Sequence, residues 1–250
     1  MTWRLLLCIF LCLCLLGTAL ADPVSLAAPL AGEVYWPEGS DAGSAQYIYR
    51  YSLPYAQGED VTCEGINAFY SYYIEDALAF TVPINGECLE DPSLVSWTEV
   101  TGEVTCNNDD YFCVRLVSRS ELDGISYEIF SGQVFAREGS KEGLVISLPY
   151  LLGILADNEN DTWLQDRQTA KADTCVRDLI WEAIVRNEAG YDYLPDVTRA
   201  FFDDMFYPEE DFYLDATGNP VFFVQSGILT PESEGVLLFP LSLETILDEI

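Results

Sequence analysis

A chain of 250 residues with 42 acidic and 11 basic side chains, a net charge of −31 and no histidine excludes several classes of function at once. Ser-His-Asp and Cys-His nucleophile systems and histidine-ligated metals have no residue to work with, and a field of this sign repels nucleic-acid phosphate and anionic lipid while attracting cations. Half of the residues are hydrophobic, enough for a real core in one large domain or two small intertwined ones.

Arg4, the apolar run 5–16 and the small residues Gly17-Thr18-Ala19-Leu20-Ala21 ahead of Asp22-Pro23 have the layout of a signal peptide at 1–21. The run is short for a bilayer span, so the mature chain is expected to be secreted or envelope-associated with no membrane span, and a retained leader anchor is the alternative. All 42 acidic residues follow the leader. Residues 22–45, rich in Ala, Gly, Pro and Ser, are expected to be a flexible lead-in.

Tyr47-Ile48-Tyr49-Arg50-Tyr51-Ser52-Leu53 predicts an aromatic-rich strand stopped by Pro54. From 60 to 80, Val61, Ile66, Phe69, Tyr70, Tyr73, Ile74, Ala77 and Leu78 recur at helical spacing, which predicts an amphipathic helix begun near Asp60 and lost before Pro83. Residues 94–106 and 111–119 read as antiparallel strands around Asn107-Asn108-Asp109-Asp110. That pairing puts Phe112, Val114 and Leu116 on one face and Tyr111, Cys113, Arg115 and Val117 on the other. Further extended segments follow at 125–130, 132–137 and 143–148, and then a short apolar helix at 150–156.

Residues 157–161, Asp-Asn-Glu-Asn-Asp, alternate acid and amide groups as a calcium loop does. Thr162 stands where that loop needs Gly and Gln168 where it needs a bidentate Glu, so an acidic linker is the preferred reading and no metal site is assigned. Asn160-Asp161-Thr162 also fits a glycosylation acceptor. A second long helix is expected at 169–188, with Ala172, Cys175, Val176, Leu179, Ile180, Ala183, Ile184 and Asn187 on one stripe, then a short aromatic segment at 200–207. The C-terminal end predicts strands at 211–214 and 221–224 around the turn Ala216-Thr217-Gly218-Asn219-Pro220. A strand at 236–240 and a closing helix capped by Ser242 complete it.

These elements make an α+β fold, an antiparallel sheet meander packed with two long helices, plus a C-terminal hairpin, strand and closing helix. The division is an N-terminal α+β subdomain at 46–156 and a C-terminal one at 157–250, packed as one unit. Five cysteines follow the leader: Cys63, Cys88, Cys106, Cys113 and Cys175. The odd number leaves at least one thiol unpaired within the chain, and Cys106 and Cys113, flanking the 107–110 turn, are the pair expected to form a disulfide. Paired carboxylates at Asp109-Asp110, Asp203-Asp204 and Glu209-Glu210 are the candidates for glycan hydrolysis. Adjacent side chains usually point apart, and so acid-rich a chain produces such pairs by chance. No catalytic residue and no cofactor is therefore assigned.

The order of these elements, Gly143 with Ser147-Leu148-Pro149-Tyr150-Leu151-Leu152, and above all Asp-Phe-Tyr-Leu-Asp-Ala-Thr-Gly-Asn-Pro-Val-Phe-Phe-Val at 211–224, followed by Gly-Val-Leu-Leu-Phe-Pro-Leu-Ser-Leu-Glu-Thr-Ile-Leu at 235–247, resemble a known pattern. It is that of the extracytoplasmic domain of RsiV-type anti-sigma factors and PdaC-type peptidoglycan deacetylases, a pair of neighbouring domains of unknown function. The resemblance implies an α+β envelope-facing binding role, since RsiV-type members sense lysozyme and PdaC-type members carry the module beside a catalytic domain. Neither a deacetylase domain nor a sigma-binding stretch is expected from these residues, and the family's Tyr-x-Gly-Gly-Ala-His-like segment appears only as Tyr127-Glu128-Ile129-Phe130-Ser131-Gly132. The expected function is a secreted, non-enzymatic binding module of the bacterial cell envelope. Its expected partner is a cationic protein such as lysozyme, or a cell-wall peptidoglycan component. The alternatives are a glycan-acting hydrolase using paired carboxylates and a structural surface-assembly protein. The charge by itself also suits a merely solvated surface in a salty habitat.

Overall fold

The computed structural model describes residues 22–91, 93–155 and 162–250. The expected leader at 1–21, the calcium-like run 157–161 and the first two residues of the glycosylation acceptor lie outside them. Five strands, β1 (Leu30–Trp36), β2 (Tyr47–Leu53), β3 (Ser96–Asn107), β4 (Tyr111–Leu122) and β5 (Ile125–Ala136), form one sheet in the order β1-β2-β3-β4-β5. The meander β3–β5 is antiparallel as expected, whereas β2 joins β3 in parallel. Parallel neighbours need a crossover, and the first helical stretch supplies it.

That stretch runs on where the sequence predicted a stop. α1 (Val61–Asp76), capped by Asp60, whose side chain accepts from the Cys63 amide, passes through a π-helical turn (Ala77–Thr81) into α2 (Val82–Glu87). Within an α-helix, the ring of Pro83 would collide with the carbonyl four residues back. The wider π turn, closed by the Val82 amide on the Ala77 carbonyl, lets Pro83 sit in the first turn of α2, where no amide is needed.

A second correction concerns 22–45. The lead-in contains a strand, because Leu30-Ala31-Gly32-Glu33-Val34-Tyr35-Trp36 pairs along its whole length with β2. Gly32 permits this, since a Cβ there would lie 2.4 Å from the Tyr51 hydroxyl across the pair. Residues 143–148 make one isolated bridge to the end of β5, Val145 opposite Phe135, and Glu142 just before them makes another with Ala136; the helix expected at 150–156 is one turn, α3 (Leu148–Leu151). α4 (Thr162–Arg186), α5 (Arg199–Met205), β6 (Phe212–Leu214), β7 (Pro220–Val224), β8 (Leu237–Pro240) and α6 (Leu243–Glu249) complete the chain. β6, β7 and β8 form a separate antiparallel sheet, and Ser242 caps α6 by accepting from the Thr245 amide as expected.

The alternation on β4 sorts the core into two layers. Phe112, Val114 and Leu116 face α1 and pack with Tyr49, Ile66, Tyr70 and Phe135, while Cys113 faces the other way, into a cluster with α4, α5 and the small sheet. α4 contributes Ala172, Val176, Ile180 and Ile184, an i, i+4 stripe that is buried throughout. Burying four such residues removes most of one helix face from water, which is what holds a helix of this length against its neighbours.

Amide side chains pin three otherwise unpaired backbone positions. Asn67 both accepts from the Ala56 amide and donates to its carbonyl, Asn107 does the same to Val24, and Gln225 to Phe130. Each side chain imitates a neighbouring strand at one residue, satisfying a donor and an acceptor together. Gln225, which follows β7, thereby fastens the small sheet to the outer edge of β5.

Asp211, just ahead of β6, carries a pH-dependent cost. Burial pushes its carboxyl from 3.8 up to about 6, while its Oδ2 accepts from the Tyr207 amide at 2.7 Å. The folded state therefore holds a proton that the unfolded state has already released between about pH 4 and 6. Stability falls as pH rises through that window and stays lowered above it. Asp211→Asn keeps an acceptor for Tyr207 and removes the charge. Its stability is expected to exceed the parent's by about 1–2 kcal/mol at pH 7.5, after allowance for partial exposure, and to match the parent near pH 4. Urea titrations at the two pH values check this.

Candidate functional site

A cleft opens where the far half of the meander meets the loop between β7 and β8. Trp97 on β3, Arg119 on β4, and Ser126 and Glu128 on β5, with the backbone of Ser120 and Tyr127 between them, form the floor. Ser226 and the stretch Glu232 to Gly235 form the wall of a cleft of about 390 Å³. Register brings the floor together: Arg119 stands opposite Glu128, Glu121 opposite both Ser126 and Trp97, and Ser120 opposite Tyr127. Strand alternation aims Trp97, Arg119, Ser126 and Glu128 into the cleft, and turns Ser120 and Tyr127 to the other face of the sheet.

The arginine of the cleft is already engaged, its Nε donating to Glu128 Oε2 at 2.7 Å. The wall is a 3-10 turn (Glu232–Glu234) closed by Gly235 at φ +73, a left-handed conformation that glycine adopts without strain. It holds Glu232 and Glu234 beside the floor with no cation of their own among the described residues. An indole in the floor under an acidic rim suits a cationic side chain or a hydroxyl-rich ring.

The wider surface shows where the chain's positive charge goes. Arg50, Arg115, Arg119, Arg177, Arg186 and Arg199 all form ion pairs with the chain's own carboxylates. Arg137 donates to the Asn108 and Asp22 carbonyls, and Lys171 to the main-chain oxygen of Ile250. Arg115 is held between the two sheets. Its guanidinium lies 4.9 Å from the centre of the Phe130 ring and 5.0 Å from that of Tyr213, and it bonds Tyr213 and Glu103. It works as a rivet between the sheets, not as a ligand for a partner.

Cys106 and Cys113 stand opposite each other in the β3–β4 register, just past a shift at Val104. The disulfide expected there is not formed, and the five cysteines of the described residues are free thiols. The sulfur of Cys113 instead accepts the Leu214 amide at 3.2 Å where the sheets touch, and burial pushes this thiol up to about 11. The paired carboxylates do not gather into a site. Arg199 Nε holds both oxygens of Asp203 at 2.7 and 2.8 Å, Asp204 follows it on α5, Glu209 and Glu210 lie in the turn before β6, and Asp109 and Asp110 in the β3–β4 turn. Among the described residues no cluster of three or more acidic or cysteine side chains could hold a metal ion, and no helix is long and apolar enough to cross a membrane.

Similarity to solved structures is clear at the level of architecture. A DUF3298 family member from Bacteroides fragilis NCTC 9343 superposes with a TM-score of 0.56 at 11% identity, over 89% of this chain and 92% of that one. A DUF3298 family protein from Pseudomonas aeruginosa PAO1 does so with a TM-score of 0.53 at 12% identity, over 90% of this chain and 93% of that one. The fold is that of the DUF3298 proteins. DUF3298 denotes a domain of unknown function, and at such identities the likeness carries architecture and nothing of ligand. No protein-family model matches the sequence, and no curated protein does.

Trp97, Arg119, Ser226, Glu232 and Glu234 had no signal as a group in the sequence, because the cleft gathers residues spread along the chain from 97 to 235. Tyr127–Gly132 is the stretch where the chain departs from the segment that the family resemblance led one to expect. It lies along β5 with Glu128 turned into the cleft and Tyr127 to the other face, Phe130 held by Gln225 and Gly132 beneath β6.

Proposed function

We propose that the chain is a secreted, non-enzymatic binding module of the bacterial cell envelope that captures a cationic protein, with lysozyme as the first example to test. What carries the reading is the charge balance: among the described residues, six arginines are spent on eight of the chain's own carboxylates, out of 42 acidic residues in all. The remaining acidic surface has little internal countercharge, and a basic partner supplies it while gaining in association rate through steering. The resemblance of the C-terminal segment to RsiV-type domains supports the choice of lysozyme, and the acidic cleft over Trp97 is the natural landing place. A peptidoglycan fragment stacking on Trp97 is the second ligand to try. The carboxylate-hydrolase reading stays the alternative; of its candidates, Asp203 is paired with Arg199.

Titration of the purified chain with lysozyme at about 20 and about 150 mM salt tests the proposal, because the screening length shrinks from roughly 20 Å to about 8 Å between them. Binding that weakens at least about tenfold between the two is expected. Absence of binding at either salt overturns the lysozyme reading.

A further inference from the structure

The β5 edge is managed along most of its length and left open at one end. Along a strand, alternate residues turn their N–H and C=O away from the paired neighbour. On β5 these are Phe130, met by Gln225, Gly132, whose face is crossed by the backbone of β6, Val134, whose carbonyl accepts from Ile146, and Ala136, which exchanges bonds with Gly143 and Leu144. The same period makes Ser126 and Glu128 outward-facing, and among the described residues no backbone or side-chain group meets their N–H and C=O. Proteins ordinarily blunt such an edge with charge, proline or a covering loop. Here the residues around them are apolar: Ile125, Tyr127 and Ile129 share one face and are 50%, 40% and 53% exposed.

The two faces of this open edge differ in character. On one lie Ile125, Tyr127 and Ile129. On the other lies the cleft, where Glu128, Glu232 and Glu234 outnumber the single Arg119. A strand added at Ser126 and Glu128 would send alternate side chains to these two faces, apolar groups over the first and cations into the second. We propose that the open edge of β5 at Ser126 and Glu128 receives an extended, cationic segment of the partner protein as an added strand, one that alternates apolar and basic residues. This deepens the capture reading by naming the form in which the partner is held, and it rests on that reading for the sign of the partner's charge.

The test follows backbone amide shifts of the isotope-labelled, purified chain during titration with a peptide of about nine residues alternating Lys and Val. Two comparison peptides are used, one alternating Glu and Val, the other keeping the Lys/Val composition with a central proline. The Lys/Val peptide is expected to shift the Ser126 and Glu128 amides, and each comparison peptide to bind at least about tenfold more weakly, having lost charge complementarity or strand hydrogen bonds. Ser126→Pro removes an outward N–H while leaving the β4 side alone, and Ile129→Lys sets a charge against the apolar side of the incoming strand. Each is expected to weaken the Lys/Val peptide at least about tenfold. Equal binding of the proline peptide, or unchanged binding by both variants, overturns the proposal. If lysozyme binds the parent and both edge variants alike, the edge proposal fails while acidic capture stands. If the Lys/Val peptide binds at the edge and lysozyme does not bind at all, lysozyme capture fails and the edge proposal stands.

Discussion

Gly132→Val is expected to cost the protein at least about 3 kcal/mol and to lower its denaturation midpoint accordingly. A Cβ at 132 would lie 1.8 Å from the Phe212 carbonyl oxygen and 3.2 Å from the Cα of Tyr213, so β6 crosses β5 on bare backbone. Such a clash is cheap only when a flexible side chain can move aside, and here neither partner is one. β6 is held on its other side by β7, its Leu214 amide is tied to Cys113, and Gln225 clamps the end of β7 to Phe130. Relief therefore requires the two sheets to separate, which would also unseat Arg115 from between Phe130 and Tyr213. Gly43, with only a side-chain oxygen of Asp41 at 3.6 Å from its Cβ position, is the control, and Gly43→Ala is expected to leave the stability within about 0.5 kcal/mol of the parent. A chemical denaturation series on the three proteins decides it. Parity of Gly132→Val with the parent would mean that the sheets are not in contact there.

Phe222→Ala is the second large effect, at about 3–5 kcal/mol. Phe222 is fully buried on β7, with its ring 6.1 Å from that of Phe206 edge-on and 5.9 Å from that of Phe212. Phe206 in turn stacks on Phe202 at 5.1 Å, and Trp181 of α4 lies 5.8 Å beyond Phe202. Truncation opens a hole within this row, between Phe212 and Phe206. The loss combines the transfer of a benzyl group with a cavity that the surrounding rings cannot fill without giving up their own contacts. The same cluster includes Val134 and Ala136 of β5 as well as Val176 and Ile180 of α4. The variant is therefore expected to lower the midpoint recorded by far-ultraviolet circular dichroism and by tryptophan fluorescence together. Stability within about 1 kcal/mol of the parent would place Phe222 outside the core.

Much of this architecture is written locally. The two-residue period of 111–117 places Phe112, Val114 and Leu116 toward α1 and Cys113 and Arg115 toward the small sheet, and the four-residue stripe of α4 can be read directly from Ala172 to Ile184. Caps at Asp60 and Ser242 are equally plain, since each is a short polar side chain just before a helical pattern. β1 escapes because Leu30-Ala31-Gly32 looks like linker until Tyr51 is known to pack over Gly32. Pro83 misleads because a proline forbids an α-turn but not a π turn. The cleft is the least legible feature, for its floor depends on strand register and its wall on how the β7–β8 loop folds back, both set by contacts between residues far apart in the chain. Gln225 illustrates the limit: nothing in its neighbourhood announces that it will bind Phe130, 95 positions away.

If uncompensated carboxylates select the partner, removing the partner's cations must remove the binding. The most direct measurement compares the affinity of the purified chain for native lysozyme with that for lysozyme whose lysines have been acetylated, at one low ionic strength. Acetylation removes the positive charge of each lysine and keeps the apolar stem. Binding of the native protein with at least about a tenfold loss on acetylation is the predicted result, and equal affinity for the two forms, or none for either, would contradict it.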